Sequence, residues 1–341
     1  MICDDSARPR PAPFVPVARP SRARAVDSVA SGSDPADFGP LAPFIIMDGV
    51  TDVLVNGAAG LWLSRENGME RVETWNADER AARELAVRLV ALGGRHIDET
   101  SPCVDVRLHD GIRVHAVLPP ISGGGTLLSV RVPRRSPLGL AELVTAGMLT
   151  ARESEFLVGA VRERHNILIT GAAGSGKTTL LAALLAEAPA SERIVTVEDV
   201  SELRIQHPHV VSLEARQANL EGAGEIGVER LVREALRMRP DRLVLGECRG
   251  REIRELLMAF NTGHDGGAGT IHANSLADVP ARLEALGAIA DMTPSAIARQ
   301  AVSAIGLILH LGFRDGRRTL AEVGRFVLGD GDRLDVRPLA R

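Results

Sequence analysis

The stretch that decides the fold is NILITGAAGSGKTTLLAALLAEA, residues 166–188. Its first part, Asn166–Thr170, is a short apolar run that reads as a buried strand. Gly171–Thr178, GAAGSGKT, then satisfies the pattern G-x-x-x-x-G-K-[ST] in full, and Lys177–Ala188 reads as a helix. Strand, glycine-rich loop and helix in that order are the context in which this motif cradles phosphate. Gly171, Gly174 and Gly176 free the backbone, so that the N–H groups of the loop, through Ala172, Ala173 and Ser175, converge on phosphate oxygens. The helix N-terminus adds a favourable dipole. Lys177 is placed for the β- and γ-phosphates, Thr178 can offer its hydroxyl to Mg²⁺, and Thr179 follows in the first turn. A nucleoside triphosphate with Mg²⁺ is the expected ligand.

Composition sharpens this reading. The chain has 341 residues and a formal net charge of −4; of its 40 Lys plus Arg residues, Lys177 is the single lysine. Arginine therefore serves wherever the two are interchangeable. The loop keeps lysine because a compact ammonium fits where a planar guanidinium would not. The near-neutral balance argues against a dominant basic surface for nucleic acid. An aromatic content of 3% leaves few platforms for stacking single strands, which speaks against a nucleic-acid translocase and against direct nucleic-acid binding. Three scattered cysteines without a CxxC give neither a disulfide framework nor a zinc site, and fit a reducing compartment. No apolar stretch is long enough to span a bilayer and no signal peptide opens the chain, so a cytoplasmic protein is expected.

Working outward, residues 1–40 hold 7 of the 19 prolines and few large apolar side chains, and read as a disordered arm. Residues 41–135 read as a small α+β domain. It has a strand at TDVLVNG (51–57), a hairpin turning at Asn67-Gly68, and a helix over Ala77–Leu92 with Asn76 as N-cap. A second hairpin turns at Asp110-Gly111, and a further strand lies in TLLSVRVP. Residues 136–150 read as a linker. From 151 to 341 the rhythm is strand, helix, strand, helix: RIVTV (193–197), Val228–Met238, RLVLG (242–246), Glu252–Asn261, Ala268–His272, and a terminal hairpin around Gly329-Asp330-Gly331. This alternation predicts an α/β fold with a mostly parallel sheet and ligands at the carboxyl ends of its strands.

Chemistry beyond the loop sits at such strand ends. Glu247 closes RLVLGE, where a carboxylate can hold Mg²⁺ through water or orient the attacking water. VEDVSEL supplies Glu198, Asp199 and Glu202 after the strand that follows the loop helix. GHDGGAGTIHANS carries His264 and His272, too poor in acids and cysteines for a zinc site but suited to sensing a phosphate or bridging to an acid.

These four motifs, in this order, resemble the secretion ATPases that power type II secretion, type IV pili and type IV secretion. TDVLVNG, DVRLHDGIRVHAVLPP, RMRPDRLVLGECRG and HDGG before TIHAN resemble the CpaF/TadA-like branch of tight-adherence pili. The resemblance implies an RecA-like ATPase domain behind the small domain, a hexameric ring, and ATP between the two domains. It further implies hydrolysis-driven rotation that drives pilin assembly, and an integral-membrane platform protein as partner, the only route to the membrane. A conjugation-type secretion ATPase is the other reading within the class. By the same resemblance Glu202 activates water, Glu198 and Glu247 belong to the catalytic acids, and His264 and His272 form the histidine box. Arg113 and Arg131 approach the phosphates. From chemistry alone, Arg107, Arg237 and Arg239 are equal rivals of those two arginines.

Overall fold

A computed structural model describes residues 35–65, 68–108, 111–133, 137–216 and 224–339. Most of the proline-rich arm and the expected hairpin-tip residues Asn67 and Asp110 lie outside them. The chain divides into two units, residues 1–132 and 133–341, and each is described by itself.

The first unit begins inside the stretch read as an arm. Pro35–Leu41 is a 3-10 helix, and Phe38 and Leu41 are fully buried in the hydrophobic core. Two large apolar side chains there are enough to order the segment. A short helix α1 (Ala42–Ile45) leads to β1 (Val50–Asn56), β2 (Leu61–Arg65), β3 (Gly68–Val72), α2 (Glu79–Leu92), β4 (Cys103–Arg107), β5 (Arg113–Val117) and β6 (Leu127–Arg131). The strands form one antiparallel sheet in the order β3-β2-β1-β6-β5-β4. Alternate residues of β1, β5 and β6 face α2 and close the core. The N-cap of α2 is Asp78, whose carboxylate accepts from Ala81 N at 2.8 Å, and not Asn76, which lies two residues outside the helix. Glu79 then ties the helix to the sheet by accepting from Thr126 N (2.7 Å) and Thr126 Oγ1 (2.6 Å).

The second unit contains α3 (Leu140–Thr145), α4 (Ala151–Arg162), β7 (Ile167–Gly171), α5 (Lys177–Leu185), β8 (Ile194–Glu198), β9 (Val210–Glu214) and α6 (Val228–Leu236). It continues with β10 (Arg242–Leu245), α7 (Glu252–Asn261), β11 (Ala268–His272), α8 (Val279–Ile289), α9 (Pro294–Ala304), β12 (Leu307–Arg314), β13 (Arg317–Leu328) and β14 (Leu334–Pro338). The sheet order is β14-β13-β12-β7-β11-β10-β8-β9. From β12 to β9 every pairing is parallel, and β13 and β14 extend it as an antiparallel ribbon. Helices α3, α4 and α5 share one core with one face of the sheet; α6 to α9 share another with the opposite face. The stretch read as a linker is part of this unit: Leu140, Leu143, Met148 and Leu149 are buried against α5 and its neighbours. Their apolar side chains outweigh the turn-like Pro and Gly residues around them.

Arg242, at the start of β10, is 1% exposed. It pairs with Glu192 and donates to Val161 O (2.8 Å) and Gly266 O (3.1 Å), joining α4, β10 and the segment before β11. Removing a buried partner leaves the others desolvated and unpaired. Arg242→Ala is therefore expected to destabilise the second unit by about 3–5 kcal/mol, read as a lowered denaturant midpoint. A loss below about 1 kcal/mol would show that Arg164, which also bonds Glu192, carries the junction alone.

Candidate nucleotide site

The glycine-rich loop runs from the end of β7 to the start of α5. Register fixes its surroundings: Gly171 pairs with His272 of β11 on one side and with Leu311 of β12 on the other. A Cβ at Gly171 would stand 2.6 Å from Leu311 O, and Gly176 takes the left-handed conformation (φ +95°) just before the helix. Both positions therefore need glycine. Ser175 is fully buried, and its hydroxyl has no partner among the described residues. A buried hydroxyl left without a partner within a glycine-rich loop fits an anionic ligand.

Lys177 is 7% exposed. Its ammonium donates to Gly171 O (3.0 Å) and Ala172 O (2.9 Å), and lies 3.2 Å from His272 Nδ1. Burial holds its pKa below the ordinary value; Glu247 opposes this and Arg249 adds to it. An ammonium has only donors, so Lys177 can donate to His272 Nδ1 when that nitrogen is unprotonated. Nε2 lies 2.8 Å from Glu247 Oε1, though out of line for a well-formed hydrogen bond. Burial, then the Lys177 charge, hold the His272 pKa below 6.5 against the pull of Glu247. The other oxygen of Glu247 accepts from Arg249 at 2.7 Å. Burial raises the Glu247 carboxyl, but Arg249, His272 and Lys177 together outweigh it and hold the group ionised. Lysine, histidine, glutamate and arginine thus form one chain of contacts along the carboxyl ends of β7, β11 and β10.

The acidic motif adjoins this chain. Glu198, 3% exposed at the end of β8, accepts from Glu202 N (2.8 Å) and Leu203 N (3.0 Å). Its carboxylate shapes the loop that carries Glu202. Asp199 and Glu202 are exposed, and both act electrostatically on Arg249. Thr178 and Thr179 sit half-buried in the first turn of α5. Among the described residues no group of three or more His, Cys, Asp or Glu is arranged to hold a metal. The set fits Mg²⁺ bound chiefly by the Thr178 hydroxyl, phosphate oxygens and water, with Glu247 reaching it through water.

His264 stands apart from this cluster. It follows α7, packs on Ala259 O (3.3 Å) and precedes the amino end of β11. The five residues of β11 (about 3.3 Å each) separate it from His272. The two histidines of one motif stand at opposite ends of a strand, and His264 is outside the cluster. Arg113 and Arg131 belong to the first unit, where they are paired neighbours on β5 and β6; Arg107 pairs with Arg113 and Asp52 with Arg131 in the same row. Of the other rivals, Arg237 is an exposed partner of Glu234 and Arg239 follows α6 with φ +53°. Two contacts escaped the sequence reading. Arg249 stands two residues after Glu247, a spacing that could have marked it. Arg318 of β13 donates from Nε to Gly174 O (2.8 Å), and among so many arginines it carries no local signal.

Comparison with known proteins agrees with this geometry. A profile described as "Type II/IV secretion system protein" matches residues 34–312. A Mycobacterium tuberculosis protein provisionally named for conjugal transfer is 48% identical over 292 residues, 84% of this chain and 83% of its own. The type IV secretion system protein PtlH of Bordetella pertussis is 35% identical over 263 residues, 69% of this chain and 76% of its own. Among solved structures, the Legionella pneumophila ATPase DotB shares the fold, with a TM-score of 0.59 at 18% identity over 89% of this chain and 83% of that one. The chain belongs to the type II/IV secretion system protein family.

The His272 geometry fixes a pH dependence. Its folded pKa lies below its unfolded value of 6.5, so the unfolded chain takes up the proton first as pH falls. The stabilisation is complete above 6.5 and is lost below it. His272→Gln should flatten the fall in denaturant midpoint of the ligand-free protein between about pH 7 and 5. Buried His310, also held low by burial, supplies slope that remains. An unchanged profile would contradict a His272 pKa held low in the folded chain.

Proposed function

We propose that this member of the family binds MgATP in the Gly171–Thr178 loop of an RecA-like domain and hydrolyses it with Glu202 as the water-activating base. The observation that carries the reading is the Lys177–His272–Glu247 chain at the carboxyl edge of a parallel sheet, where ligands of such sheets bind. The Lys177 ammonium donates to two loop carbonyls and lies beside His272. Arriving phosphates offer it stronger, charged acceptors. Its departure frees His272 Nδ1, which leaves the imidazole able to turn toward Glu247 or toward the phosphates. His272 thereby links occupancy of the loop to the acids. Glu198 fixes the backbone of the Glu202 loop, and Arg249 spreads positive charge between Glu247, Asp199 and Glu202. Mg²⁺, when bound, bridges and neutralises phosphate oxygens.

The motor works as a cytoplasmic hexameric ring, reaching the membrane through an integral-membrane platform protein. Among the described residues no helix is long and apolar enough to cross a membrane. The motif details quoted above favour tight-adherence pilus assembly as the task. The names of the Mycobacterium and Bordetella relatives favour a second reading, a conjugation-type or type IV secretion motor.

Lys177→Ala should abolish both ATP binding and turnover. Glu202→Gln should keep ATP affinity while losing about 100-fold or more in kcat. Full activity in Glu202→Gln with loss in Glu247→Gln would move the base to Glu247. ATPase activity stimulated by DNA or RNA would instead favour a nucleic-acid translocase.

A further inference from the structure

The hairpin of β12 and β13 does more than widen the sheet. Along β12, Leu307, Leu309 and Leu311 alternate onto the face shared with α5, while Ile308 faces the other core. Leu311 is level with Gly171, the last residue of β7. The next residue on that face is Phe313, so it lies beyond the end of β7, on the side where the glycine-rich loop departs. Phe313 is 56% exposed. The chain has seven Phe, two Trp and no Tyr, so an aromatic ring left in water is an expensive use of a scarce side chain.

Its cross-strand partner explains the position. Phe313 pairs directly with Arg318 on β13. Directly opposed residues in an antiparallel pair project from the same face, with Cβ atoms about 5 Å apart. Arg318 reaches the loop itself: Nε donates to Gly174 O at 2.8 Å, and its stem passes 3.5 Å from where a Cβ on Gly176 would stand. Ring and guanidinium are therefore side by side at the rim of the loop. Both are flat, and both are surfaces on which a nucleobase stacks. The β13 strand is held in place by Leu320 N, which donates to Met148 O at 2.8 Å.

We propose that Phe313 and Arg318 form the nucleoside subsite of this ATPase, the ring stacking on the purine base while Arg318 braces the loop and offers its remaining N–H donors to the nucleoside. The inference rests on the loop from Gly171 to Thr178 being the phosphate site. It assigns the base to side chains of the antiparallel ribbon and leaves the phosphates to backbone and Lys177.

The test is calorimetric titration of the full chain with ATP and with inorganic tripolyphosphate, which has the phosphates and no base. Phe313→Ala should weaken ATP by at least about fivefold and leave tripolyphosphate within about twofold, with Phe313→Trp restoring ATP. Arg318→Ala should weaken ATP more than tripolyphosphate. Equal loss of the two ligands in Phe313→Ala would mean that the hairpin only supports the loop, and would overturn the proposal. So would unchanged ATP affinity, including the case where Phe313→Ala alters only the assembly state seen by light scattering. Lys177→Ala separates the two levels. Loss of both ligands there with full ATP affinity in Phe313→Ala defeats the subsite alone. Retention of both ligands in Lys177→Ala defeats the phosphate site and the subsite with it.

Discussion

The site depends on one row of the sheet. Gly171 is hydrogen-bonded in register between His272 and Leu311, so the loop's first residue, the histidine and the route to the hairpin stand level. A slip of one residue in either pairing would turn His272 away from Lys177, because neighbouring side chains on a strand face opposite sides. The row is secured from both faces. Leu168 packs in one core and Ile167 and Ile169 in the other, so β7 is buried on both sides. Thr170 bonds His310 of β12 at 2.8 Å and locks the strand pair just before the loop begins. Precision in the site is thus a property of parallel pairing in a dry sheet, where each backbone bond has no competing water.

Within that frame the charges are arranged as a series, not as isolated pairs. Lys177 repels a proton on His272, Glu247 attracts one, and Arg249 shares Glu247 with the acids of the next loop. Lys177 is buried and His272 and Glu247 are half-buried, so these three feel their neighbours more strongly than in bulk water; Arg249 is exposed. A change at the phosphate end of the series alters the balance at the other end without moving a helix.

Much of this was legible beforehand, for physical reasons. The glycine-rich loop is read from its own residues because its chemistry is local: backbone amides, two required glycines and one lysine. The strands Ile194–Glu198, Arg242–Leu245 and Ala268–His272 are continuous apolar runs, as expected of strands covered on both faces. Helix α8 was harder to see, since its apolar and small residues show little polar periodicity. The placement of His264 was illegible. A motif lists two histidines eight residues apart, but only the strand between them sends them to opposite ends of the sheet. Phe38 was missed because its neighbours are prolines, acids and glycine, and burial of one ring was decided by a core built from residues far along the chain. Arg318 was missed for the opposite reason: it is long-range in sequence, 144 residues from Gly174.

The solitary lysine has an experimental corollary. Apart from the chain's α-amino group, this protein owns one aliphatic amine, and that amine is buried beside His272 with its pKa held down. Reagents that acylate or reductively alkylate amines usually scatter over a protein's surface and report on nothing in particular. Reductive alkylation, which spares thiols, imidazoles and guanidinium groups, finds no other side-chain amine here. Each alkylated amine beyond the N-terminus would be a signal from the glycine-rich loop, so the use of arginine in place of lysine elsewhere makes a general labelling chemistry site-specific.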